Sequence, residues 1–110
     1  MINWARVREL KDEVGDESYF ELQAIFLAEV EEALTRLTPG RSNAQLETDL
    51  HFLKGSALNI GLARLAELCH YGEQAAKTGA LVPEALTAII QIYATSRDEL
   101  LAGEPQPQLA

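Results

Sequence analysis

A histidine, a lysine three residues on and a glycine beside that lysine, His51, Lys54 and Gly55, stand in the run HFLKGSALNIG over residues 51–61. On a helix, positions three and four apart are surface neighbours, so Lys54 and Gly55 both flank His51. An ammonium beside an imidazole offsets the charge of a phosphoryl group placed on the ring, and a residue with no Cβ lets a bulky partner come close. Glycine inside a helix costs roughly 1 kcal/mol relative to alanine, and access to the histidine is a reason to keep one there. An unperturbed imidazole is largely neutral near neutral pH, so one ring nitrogen is a nucleophile without a separate base. The chemistry these residue types offer is transient carriage of a phosphoryl group on histidine.

A solitary histidine on a helix is most often a surface or capping residue, and the surrounding pattern is what sets His51 apart. Leu46, Leu50, Leu53, Ala57 and Ile60 follow the alternating four-and-three spacing of a buried seam. At about 100° per residue, His51 points away from that seam and is expected to be exposed. Lys54, one turn on, is expected to be exposed too. Leu58, seven residues after His51, falls on nearly the same outward face as an apolar contact for a docking partner.

The elements that must position these residues all show helical periodicity. Trp4, Val7, Leu10 and Val14 form the stripe of a short first helix, capped by Asn3 and stopped by Gly15. Asp16 or Ser18 caps the second, Ser18 and Glu21 having capping-box spacing, and its stripe is Leu22, Phe26, Val30, Ala33 and Leu37. Thr38, Pro39 and Gly40 end that helix. Ser42 with Gln45 starts a third, which carries His51 to about Asn59. After Gly61 a fourth turns Leu62, Leu65, Leu68, Cys69, Gly72 and Ala76 inward and ends at Lys77, Thr78 and Gly79. Pro83 opens a fifth with the stripe Leu86, Ile89, Ile90, Tyr93 and Leu100. Short connections predict an all-α, antiparallel up-down-up-down four-helix bundle with the first helix across one end. The domain is expected over residues 1–103, with a disordered tail over 104–110.

A chain of 110 residues holds one core but not a nucleotide-binding catalytic domain as well. The net charge of −8, with no basic cluster, argues against nucleic acid as a partner. No apolar run approaches the ~20 residues that cross a bilayer, and early charges stand where a signal peptide needs an apolar stretch, so a cytoplasmic, membrane-free location is expected. Cys69, the single cysteine, reads as buried packing. His70, the only other histidine, gives no dense ligand spacing with His51, so no metal site is expected.

From Leu50 to Glu73 the chain resembles the histidine-containing phosphotransfer (HPt) domain family. The family's block of His, Leu, Lys, Gly, Ser and Ala stands as His51, Leu53, Lys54, Gly55, Ser56 and Ala57, followed at family spacing by Gly61, Leu65, Leu68, Cys69 and Glu73. Phe20, Leu22, Phe26 and Leu27 resemble the preceding helix. The resemblance implies a multistep two-component phosphorelay in which His51 takes a phosphoryl group on the ring nitrogen far from the backbone. It further implies that Lys54 stabilises the phosphohistidine, Gly55 gives the partner room, and Glu73 matches a position that orients the imidazole. The implied partners are response-regulator receiver domains, of a hybrid histidine kinase and of a downstream regulator, with Mg²⁺ held by the receiver and no cofactor of the chain's own. Gly72 departs from the leucine often found there. Nothing resembles a glycine-rich ATP site, so a phosphoryl carrier is expected rather than an enzyme. The competing readings are a non-phosphorylated helical adaptor that binds a receiver or kinase, and a metal- or haem-binding bundle.

Overall fold

The structure, a computed structural model, describes residues 1–106, which form five helices and no strand. They are α1 (Trp4–Val14), α2 (Asp16–Leu34), α3 (Asn43–Ile60), α4 (Ala63–Lys77) and α5 (Pro83–Ala102). The molecule is all-α. Residues 104–106 carry no helix, and the rest of the tail expected to be disordered lies outside the described residues.

The helix ends follow local chemistry. Asn3 caps α1 by accepting a hydrogen bond from the Arg6 amide, and Ser42 and Gln45 close a reciprocal capping box on α3. The start of α2 differs from the sequence reading. Gly15, at φ +82°, takes the N-cap position, and Asp16 is already helical, so neither Asp16 nor Ser18 caps it. A left-handed glycine ends one helix and lets the next begin after a single residue, which leaves no room for a side-chain cap. Asp16 and Glu17 instead place negative charge on the first turn, where the helix dipole favours it.

Two predicted stripe positions face solvent. Val14 and Ile90 are exposed, and α5 buries Leu86, Ile89, Tyr93, Ser96 and Leu100, a three-four-three-four series that leaves Ile90 beside the seam. On α2 the buried stripe is Tyr19, Gln23, Leu27, Val30, Ala33 and Leu34, with Leu22 and Phe26 at its half-buried border.

Helix α3 packs most extensively against α4, with α2 against its other side and α5 against α4. Gly72 explains the closeness: a Cβ there would stand 3.1 Å from Leu50 Cδ1 and 3.4 Å from Ile89 Cδ1. The volume a leucine would need is already filled by α3 and α5. Across the molecule, the Tyr93 hydroxyl of α5 donates to Glu31 of α2 at 2.6 Å, and Arg97 reaches the same carboxylate. Helix α1 closes the end where α3 turns into α4. The Asn3 amide donates to the Gly61 carbonyl at 2.7 Å, and Arg6 donates to that of Asn59 at 3.0 Å.

Candidate functional site

His51 stands in the middle of α3 with 72% of its side chain exposed. Across the α3–α4 interface lies Glu73, buried to 5% of its side-chain surface. Its Oε1 is 2.8 Å and its Oε2 3.3 Å from His51 Nδ1. A carboxylate only accepts, so in the neutral ring Nδ1 carries the proton and Nε2 keeps its lone pair. No hydrogen bond among the described residues reaches Nε2.

Lys54 donates to the same carboxylate, Nζ lying 2.9 Å from Oε2 and 3.4 Å from Oε1. Burial works against the charge of Glu73, but the hydrogen bonds from Lys54 and then His51 outweigh it and hold the carboxyl below its usual range. Lys54 is therefore not the exposed cation expected of it. Only 23% of its side chain meets solvent, because it leans across the interface to a buried acid. The partner lies nineteen residues away, so local spacing could not show it.

The other predicted positions fall as follows. Gly55 faces open space, with nothing within 4 Å of a Cβ placed on it. Leu58 is exposed, and Phe52, which the sequence reading passed over, is exposed next to His51. Cys69 is fully buried, its thiol pushed up to about 12 by burial and by the Glu73 charge against the opposing pull of Lys54. His70 is exposed, its ring tilted against Tyr71 at 5.7 Å. No group of three or more metal-binding side chains occurs among the described residues.

One side of the imidazole opens onto a cleft lined by Glu47, Thr48, His51, Glu73 and Lys77. The sequence reading took Lys77 only for a helix-end cation. Its position four residues after Glu73, on the same face of α4, is the signal that was available.

The family model of the Hpt domain matches residues 21–99, which spans the site and all of α3 and α4. Comparison with curated proteins and with solved structures gave no match.

Proposed function

The chain belongs to the Hpt domain family, which serves phosphotransfer in two-component signalling and meets response-regulator receiver domains, and on that premise we propose that His51 carries the phosphoryl group between receiver aspartates. The observation that carries this reading is the division of the ring: Nδ1 is tied to a buried carboxylate while Nε2, on an exposed side chain, has no partner among the described residues.

In the forward step the Nε2 lone pair attacks the phosphorus of a receiver aspartyl phosphate. The N–P bond forms, the aspartyl O–P bond breaks, and the receiver recovers its carboxylate. Alkylating or phosphorylating Nε2 while Nδ1 keeps its proton leaves positive charge on the ring, and Glu73 stands 2.8 Å away to receive it. Lys54 keeps that carboxylate ionised, so that it can take up the ring charge. Onward transfer to a second receiver is the same step reversed. Phosphoryl transfer needs positioning and charge more than covalent help, so a small bundle serves without a pocket of its own. Mg²⁺ belongs to the receiver in this scheme, and the protein is a carrier rather than a kinase.

Gly55 and Leu58 form the adjoining docking ground, one for clearance and one for apolar contact. An up-down-up-down arrangement of α2 to α5 is supported by the packing of successive helices and by the Tyr93–Glu31 bond that joins first to last. The work is assigned to the cytoplasm, between the receiver of a hybrid kinase and a downstream regulator. Among the described residues no helix is long and apolar enough to cross a membrane.

Incubation with a phosphorylated receiver tests the reading. Acid-labile label is expected on the wild-type chain and absent from His51→Gln. Receiver binding without any label would replace the relay by an adaptor.

A further inference from the structure

We propose that Lys77 is the cation that contacts a phosphoryl group on His51 Nε2, and that it works against Glu47, so that these two residues set how long the phosphohistidine lasts. The inference rests on His51 as the phosphoryl acceptor and assigns the direct contact to a residue other than Lys54.

Lys54 is already engaged. Its ammonium donates to both oxygens of Glu73, and the two charges match each other before any phosphate arrives. A phosphoryl dianion added to Nε2 finds no surplus positive charge in that pair. Helical side chains lean toward the N-terminus of their own helix. The His51 ring therefore leans over the turn that holds Glu47 and Thr48, away from Gly55. Helix α4 runs back along α3, so Lys77, one turn beyond Glu73, stands level with that same turn and leans back toward Glu73. The cleft lined by Glu47, Thr48, His51, Glu73 and Lys77 is where these directions meet.

The side chains in the cleft differ in what they have to spare. The Thr48 hydroxyl is spent on the Ala44 carbonyl at 3.2 Å. Lys77 is exposed and has no ion-pair partner among the described residues. Glu47 is half-buried, also has no ion-pair partner among the described residues, and lines the same cleft, so its charge opposes an incoming phosphoryl group. With Lys54 committed and Glu47 repulsive, Lys77 is, among the described residues, the one free cation lining the cleft. A cation on the phosphoryl oxygens holds the dianion and slows its departure as a metaphosphate-like group, and an adjacent carboxylate does the reverse.

Lys77 also closes the last turn of α4, where a cation suits the helix dipole. The test must separate that structural contribution. The full chain is phosphorylated with phosphoramidate, a small donor that needs no receiver, and the phosphohistidine is followed by phosphorus NMR and by its decay. Lys77→Ala is expected to shorten the lifetime about threefold and raise the phosphoryl pKa by about 0.5, the scale of an exposed charge pair. Lys77→Arg is expected to restore both, Glu47→Gln to move both the opposite way, and high salt to shrink all three differences. A helix-dipole role alone would change melting and leave the phosphoryl titration still. Lifetime and titration unchanged in Lys77→Ala, with label still on His51, overturn the assignment and leave the carrier function standing. Label absent from His51 in the wild-type chain removes both.

Discussion

Glu73 keeps its charge inside the protein because two donors reach it, and each donor depends on it in turn. Lys54→Ala leaves the carboxylate buried with His51 alone. The loss is expected to cost about 1–3 kcal/mol in urea unfolding, and most of it is expected to vanish in the Glu73→Gln background, where no buried charge remains. Phosphotransfer from a receiver is expected to slow in the same variant. The pH dependence follows from the direction of the Glu73 shift. A carboxyl held below its unfolded value stabilises the fold above that value, near ~4.3, and the contribution fades as pH falls through the depressed one. Glu73→Gln is therefore expected to flatten the acid limb of a stability profile measured below pH ~4.3, and an unchanged limb would show that Glu73 is not ionised in the fold. The outward placement of His51 and Gly55 was legible from spacing on one helix, and the lean of Lys54 toward a buried acid was not. The His51–Glu73 contact was implied only by the family resemblance, and the Lys54–Glu73 contact not at all, because register between helices is set by core packing that no local pattern contains.

At the scale of elements, two glycines on α3 and its end behave oppositely. Gly61 sits at φ +83°, and a Cβ there would stand 2.9 Å from the Asn3 carbonyl oxygen and 3.2 Å from Val7 Cγ2. Gly61→Ala combines left-handed strain with a collision against α1 and is expected to cost roughly 1–3 kcal/mol. Gly55 is helical with open space around it, so Gly55→Ala is expected to gain up to ~1 kcal/mol while a bulky Gly55→Trp weakens receiver binding without loss of stability. Parallel urea titrations and binding isotherms check both. A destabilised Gly55→Ala would mean that the glycine serves the fold rather than the partner. The capping signatures at Asn3 and Ser42 and the helix-breaking glycines were readable because their chemistry is local. Val14 and Ile90 were misplaced because an apolar residue beside a seam looks like a member of it until the neighbouring helix fixes the rotation.

Considered whole, the molecule extends beyond the span of the family match. Helix α1 precedes residue 21, yet it buries Val7 and Leu10 and bonds to the turn between α3 and α4. Removing residues 1–14 is expected to cost about 3–5 kcal/mol from those two side chains alone while His51 still accepts label. Loss of labelling in the folded truncated chain would give α1 a part in the chemistry. The fold class and helix number were evident from periodicity and turn residues, whereas the tightness of α3 against α4 depends on a side chain that is not there. Leu50 and Ile89 close over Gly72, one residue before the acid that holds the imidazole. The reach of the imidazole is thus gauged by greasy neighbours with no polar role. Drift in that hydrocarbon filling is expected to shift the imidazole, and a survey confined to charged positions would miss its origin.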